Sequence, residues 1–312
     1  MALEPYVERA VVFECRGLEL IGIAARPHEP ACRHGVVIVV GGPQYRAGSH
    51  RQYPLLARHL AEQGIASLRF DYHGLGDSGG PPALGVSGLD DDIRAAIDAI
   101  CREVSTLEGV VLWGLCGAAS ASALYAPADK RVRGLVMLNP WVRTSESLAK
   151  ARLRHYYLAR LFDREFWRRL ATGQVAIGAS MGALVGNVAT SLGIRRGVVA
   201  PSDSQQGQAG AASGHPEPAA VDDSLPELMY EGLRRANLPA LVVLSGDADL
   251  TANEFRDLCA RSATWRRWLA SSRVQAIDIA GSDHTFARAE WRDEVARRTT
   301  QWVRALDAQS SR

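Results

Sequence analysis

A mostly parallel β-sheet covered on both faces by helices, and interrupted by one long insertion, is the fold the sequence predicts. Three observations predict it. Across residues 1–142 short apolar runs alternate with stretches of helical period, which is how a parallel sheet with crossover helices reads. The alternation stops at residue 143 and resumes at 238. The chain has 312 residues, 47% of them hydrophobic, enough to bury one large core with an insertion.

The elements follow in order. AVVFEC and LELIGIAAR flank Arg16-Gly17 and read as a hairpin. GVVIVV (35–40) is a buried strand ending in Gly41-Gly42. YPLLARHLAEQG (53–64) has apolar residues at helical spacing and a glycine stop. IASLRFDY (65–72) is a strand. LDDDIRAAIDAICREV (89–104) opens with acids, which suit the positive end of a helix dipole. GVVLWG (109–114) is a strand, CGAASASALYA a helix of small residues, and VRGLVMLNP (132–140) the next strand. After the break, LPALVVLSGDAD (238–249) is a strand running into an acidic loop. FRDLCARSATWRRWLAS is helical, VQAIDIAGSDHTF (274–286) is a strand running into a loop with a histidine, and EWRDEVARRTTQWVRAL is a closing helix.

The interruption is expected to be a helical lid. It divides the chain into a core of 1–142 and 237–312 and an insertion of 143–236. Arg143 to Arg169 is charged, aromatic and helical in pattern. Residues 201–224 are poor in large apolar side chains and rich in Gly, Ala, Ser, Pro and Gln, so they are expected to form a flexible loop.

Composition narrows the class. A net charge of +2 asks for neither nucleic acid nor an acidic partner surface. The cysteines, Cys15, Cys32, Cys101, Cys116 and Cys259, are odd in number and lack C-x-x-C spacing. That argues against a disulfide framework or a zinc site and for a reducing compartment. The start, MALEPYVERAVVFECRG, has no basic head followed by an apolar core, so no signal peptide is read and a soluble cytoplasmic protein is expected. No cofactor and no metal are implied, and the oligomeric state is left open.

Two stretches compete to present a nucleophile. GASMG (178–182) is G-x-S-x-G, the turn that exposes a nucleophilic serine, here Ser180. Gly114-Leu115-Cys116-Gly117-Ala118 has nearly the same shape with a cysteine. Such a turn must follow a strand and open a helix. GVVLWG supplies the strand before Cys116, whereas only QVAI precedes Ser180 and no comparable strand follows. Gly178, Gly182 and Gly186 recur every four residues, so GASMG reads better as a lid helix with a smooth stripe. Polar residues and glycines argue against membrane spanning there. The basic flank of Arg168, Arg169, Arg195 and Arg196 leaves peripheral lipid contact open.

Ligands of an open parallel sheet bind beyond the carboxyl ends of its strands. Cys116, then Asp247 and Asp249, then His284 stand at such ends. The loops GGPQ and DYHGLGDSGG stand there too. Nucleophile, acid and histidine in that chain order resemble the α/β-hydrolase superfamily, as does D-x-x-G-x-G-x-S from Asp71 to Ser78. GGPQYRAGSHRQYPLLARHLAEQGIASLRFDYHGLGDSGG and WGLCGAASA further resemble the type 1 hydrolases associated with the exosortase A system. These are bacterial α/β-hydrolases with a cysteine elbow, encoded near genes for exopolysaccharide synthesis and C-terminal protein sorting.

The resemblance implies a Cys116–His284–Asp249 triad. G-x-x-D, Gly246 to Asp249, is how the superfamily places its acid, with Asp247 as the alternative. His284 would take the thiol proton and later activate water, and the acid would orient the ring. A thiol at a helix N-terminus beside an imidazole is favoured as thiolate. Two backbone N–H groups should bind the oxyanion. Gly117 is the first. Pro43 occupies the usual place of the second and has no N–H, so Gln44 is expected to supply it. Asp71, Ser78 and His73 are read as structural. The expected activity is a cysteine-dependent acyl hydrolase of activated esters or thioesters. Acyl transfer to a sugar hydroxyl and non-catalytic binding by the same fold are the alternatives.

Overall fold

In a computed structural model of the chain, Arg16 and Gly17 take positive φ (53° and 76°) and turn β1 (Tyr6–Cys15) back onto β2 (Leu18–Pro27). Two left-handed residues are what a tight antiparallel hairpin requires, and the pair runs from Tyr6↔Pro27 to Cys15↔Leu18. The structure describes residues 5–42, 44–81, 88–145 and 223–310. Pro43, the GASMG stretch with Ser180, the expected 201–224 loop except for its last two residues, and residues 146–222 of the expected lid lie outside them.

Among the described residues the elements continue as β3 (His34–Val39), α1 (Gln52–Glu62), β4 (Ser67–Phe70), α2 (Asp90–Glu103) and β5 (Gly109–Leu115). Then come α3 (Gly117–Tyr125), β6 (Val132–Leu138), α4 (Leu225–Ala236), β7 (Ala240–Leu244), α5 (Leu250–Arg261), α6 (Ala263–Leu269), β8 (Val274–Asp278) and α7 (Ala289–Ser310). The strands form one sheet in the order β1-β2-β4-β3-β5-β6-β7-β8. Strand β2 pairs antiparallel with both β1 and β4, and every pair from β4 to β8 is parallel.

Strand β3 lies between β4 and β5, and the chain reverses its direction of travel across the sheet there. That reversal opens a crevice at the carboxyl ends of β3 and β5. Strands β3, β4, β5 and β7 are buried throughout, whereas edge strand β8 is only half-buried or exposed. At ~1.5–3 kcal/mol for each large apolar side chain removed from water, the central strands dominate the core. Helix α7 lies along the sheet. Thr299 accepts the Trp113 indole N–H at 3.3 Å, and Trp302 packs against Gly134.

Three details differ from the sequence reading. Strand β4 is shorter than 65–72, and just beyond its end the Asp71 and Tyr72 side chains hold the loop after β3. The single helical run around 255–271 is two helices. Ser262 is extended (φ −95°, ψ 119°), and its hydroxyl caps α6 at the Trp265 N–H. Helix α4 falls inside the stretch 143–236 yet packs on α3, so closely that a Cβ on Gly232 would lie 2.3 Å from the Ala123 carbonyl oxygen. The chain accordingly divides into Met1–Thr144 with Asp222–Arg312, and Ser145–Val221. Of the second unit only Ser145 is described. No described helix is long and apolar enough to cross a membrane.

Candidate active site

Strand β5 ends in Gly114-Leu115, and the chain turns sharply at Cys116 before entering α3. Cys116 holds φ 58° and ψ −121°. A non-glycine residue in such a region costs ~1–3 kcal/mol and persists only when its surroundings impose it. They do so here. The Cys116 N–H donates to the Leu138 carbonyl at 2.8 Å, and its own carbonyl accepts from Ala119 at 3.0 Å. The crossing is tight on two sides. A Cβ on Gly114 would sit 2.5 Å from the Ala118 carbonyl carbon, and one on Gly41 would sit 2.4 Å from the Leu115 oxygen. The thiol is half-buried at the N-terminus of α3.

The other two triad candidates arrive from β7 and β8. Asp249 is the N-cap of α5, accepting the Thr251 N–H on Oδ1 at 3.1 Å. Its Oδ2 accepts the Ser245 hydroxyl at 2.6 Å and lies 3.0 Å from His284 Nδ1. Burial pushes the carboxyl up, but the bonds from His284, Ser245 and Thr251 outweigh it and hold Asp249 below its ordinary value. His284 feels the opposite pressures. Burial disfavours its charge, while hydrogen bonds to Asp249 and Cys116 and their attraction raise the imidazole from 6.5 to about 10. With Nδ1 engaged by Asp249, Nε2 is the nitrogen left for the thiol. The structure therefore brings Cys116, His284 and Asp249 together. Asp247 is exposed, and its carbonyl accepts from Asn253. Asp283 caps its own loop at the Thr285 and Ala287 N–H groups.

The loop after β3 departs from expectation. The Gln44 N–H donates to the Gly42 carbonyl at 2.8 Å, and the Gln44 amide side chain donates to Ser49. Gln44 is thus already engaged and does not offer a free donor. Neither the Gly117 nor the Gly42 N–H donates to a partner among the described residues. Gly42 takes φ 64°, and a Cβ there would meet nothing within 4 Å, so it borders open space.

Several further groups position these loops. Tyr72 donates its hydroxyl to the Gly42 carbonyl at 2.9 Å. Buried Asp71 accepts the Arg46 N–H at 2.5 Å and pairs with the Arg46 guanidinium, which also reaches Asp77. Ser78 bridges the Asp71 carbonyl and the Ile21 N–H. His73 lies against Asp92, Nδ1 to Oδ2 2.5 Å. Asn139, fully buried at the end of β6 with φ 41°, accepts the Ser245 N–H at 2.8 Å and donates to the His284 carbonyl at 3.0 Å. An Asn before Pro at a strand end was the available signal for this last group, since Asn tolerates left-handed backbone. The thiols of Cys15, Cys32, Cys101 and Cys259 are all pushed up by burial, Cys15 and Cys259 to about 12.

Comparison with known proteins bears on the fold. Residues 31–179 match the family model of the S33 serine aminopeptidases, a span that contains Cys116 and stops one residue short of Ser180. An uncharacterized protein of Pseudomonas aeruginosa is 34% identical over 124 residues, which cover 37% of this chain. The chain spans about a third (33%) of that relative's length. Its crystal structure superposes with TM-score 0.56 at 18% identity, covering 96% of this chain and 94% of that one. An esterase of Pyrococcus furiosus gives TM-score 0.60 at 12% identity, covering 97% and 92%. Est1E of Butyrivibrio proteoclasticus, with ferulic acid bound, gives 0.58 at 15%, covering 96% and 100%. The sheet order, the elbow at the end of β5 and these likenesses together show that the chain has the α/β-hydrolase fold.

Proposed function

We propose that the chain is a cysteine-dependent acyl hydrolase of activated esters or thioesters. The observation that carries the reading is the thiol of Cys116 on a strained elbow, close enough to raise the imidazole of a histidine that Asp249 holds through Nδ1. The family-model match is named for serine enzymes, so the cysteine is this chain's departure. The likeness of Gly41–Gly80 and Trp113–Ala121 to exosortase-associated hydrolases supports a cytoplasmic place in a bacterial exopolysaccharide or sorting system.

His284, raised to about 10, rests as imidazolium at neutral pH, and in this reading its positive charge favours the attacking sulfur as thiolate. Sulfur attacks the acyl carbon, and the carbonyl electron pair moves onto oxygen. Gly117 N–H donates to that oxyanion from the first turn of α3. With Gln44 engaged, Gly42 N–H is the second donor in this reading. Imidazolium protonates the leaving group as the carbonyl re-forms, leaving a thioester on Cys116. Neutral His284 then takes a proton from water, which cleaves the thioester and releases the acid. Asp249 keeps the ring in one tautomer throughout. Thioesters and activated esters suit this site because the thiolate is itself easily expelled from the tetrahedral intermediate.

Intact-mass measurement during turnover of p-nitrophenyl acetate tests the reading. The expected result is one acetyl adduct on Cys116, absent in Cys116→Ala and retained in Ser180→Ala. An adduct that survives Cys116→Ala and disappears with Ser180→Ala overturns the assignment.

A further inference from the structure

Just beyond the nucleophile lies a cationic group that the triad does not use. The chain leaves β6 alongside the elbow. Trp141 N–H reaches the Cys116 carbonyl at 3.4 Å, and the Ser120 hydroxyl donates to the Trp141 carbonyl at 2.6 Å. Two residues on, the Arg143 guanidinium stacks over the Trp141 ring, 4.4 Å from its centroid. Its Nε donates to both carboxylate oxygens of Glu254, at 3.0 and 3.1 Å. Glu254 lies on α5, the helix that Asp249 caps. The guanidinium is thus pinned between the elbow's neighbour and the acid's helix.

Among the described residues only one edge of that guanidinium is engaged. Nη1 and Nη2 have no partner among the described residues, although the side chain is just 17% exposed. Four N–H donors, held in a plane and largely withdrawn from bulk water, remain available to a ligand. A planar fork of this kind matches a carboxylate or a phosphate. Glu254 balances the guanidinium charge, so a singly charged carboxylate is accommodated more readily than a doubly charged phosphate. The Trp141 ring supplies an apolar wall for the carbon chain that would join the two ends of such a ligand.

We propose that Arg143 forms an anion subsite, and that the acyl group this site accepts carries a second, free carboxylate. The inference rests on the reading of Cys116 as the acyl-accepting nucleophile. The acyl carbonyl sits at Cys116, the methylene chain passes over Trp141, and the distal carboxylate takes the free fork of Arg143.

The test compares p-nitrophenyl hexanoate with the mono-p-nitrophenyl ester of adipate, two acyl chains of equal length. Wild type is expected to favour the adipate ester by about tenfold or more in kcat/KM, through KM, the scale of one charge-assisted pair. Arg143→Gln should bring that ratio to about one. Should Gln unfold the chain, Arg143→Lys carries the test, keeping the charge and losing the fork, with an intermediate ratio expected. An unchanged ratio in the variants, including equal slowing of both esters, overturns the proposal, as does no preference in wild type. Protection of Cys116 from iodoacetamide by free adipate, against free hexanoate, needs no turnover. Adipate should protect wild type and not Arg143→Gln. If neither ester turns over while adipate still protects, the hydrolase reading fails and the subsite stands. If both esters turn over and adipate does not protect, the subsite fails alone.

Discussion

His284 is the residue at which the candidate site's electrostatics can be read directly. Burial alone would keep its ring neutral, yet Asp249 at 3.0 Å and the neighbouring Cys116 raise it to about 10. The sign matters for both stability and chemistry. A group raised above its unfolded value of 6.5 contributes stability that is complete below that pH and lost as pH rises through about 10. Over the same window the ring passes from imidazolium, able to protonate a leaving group, to a neutral base. An NMR titration of the His284 ring should therefore show it still protonated at pH 8, with a midpoint near 10. Because Cys116 is one of the groups raising it, Cys116→Ala should move the midpoint towards 6.5. A wild-type midpoint at the ordinary value would remove the basis for a resting imidazolium.

At the scale of elements, the crossing of β5 and α3 converts a run of small residues into a strained elbow. Strand β5 contributes Gly114, and α3 is buried on nearly every face with alanine, serine and glycine. Larger residues would hold helix and strand apart and relax the turn between them. Gly114→Ala tests this directly. Its Cβ would meet Ala118 backbone atoms at 2.5 and 2.7 Å, and backbone cannot swing aside as a side chain can. We expect a loss of ~1–3 kcal/mol in urea unfolding, with slower acylation because Cys116 is displaced. Unchanged stability would mean that the close approach is not needed. This crossing was legible in the sequence, since WGLCGAASA joins an apolar run to a string of small residues. The break at Ser262 was not, because ATWRRWL keeps a helical pattern that hides an extended residue stabilised by its own cap. Helix α4 was likewise hidden. Its apolar face answers to α3, more than a hundred residues earlier, and local periodicity carries no record of that partner.

Across the whole molecule, residues from distant parts of the chain meet because parallel strands deliver their carboxyl ends to one edge. That is why Cys116, Asp249 and His284 were legible. Each follows an apolar run, and strand polarity does the rest. The groups that hold them in register were not legible, because hydrogen bonds such as Tyr72 to Gly42 depend on strand order, which no motif encodes. The engagement of Gln44 is hidden for the same kind of reason. A turn that closes Gln44 N–H onto the Gly42 carbonyl is a local conformation, invisible when one only counts which residues possess an N–H. Asn139 is the strongest instance. It sits at the end of β6, ties the loop after β7 through the Ser245 N–H, and ties the loop after β8 through the His284 carbonyl. One buried amide thus sets the acid's loop against the histidine's loop. Asn139→Asp keeps size and shape and still accepts from Ser245. It replaces the donor to His284 with an oxygen, so that two acceptors face each other without water between them. The expected cost is about 1–3 kcal/mol in urea unfolding. In the proposed reaction the accompanying fall in kcat should exceed any change in KM, since the ring moves relative to Cys116 while Trp141 and Arg143 are untouched. Lowering the pH should recover part of the lost stability, because the introduced carboxyl can donate again once it is protonated. Stability and kcat that both match wild type at neutral pH would show that β7 and β8 set the register of their loops without this link.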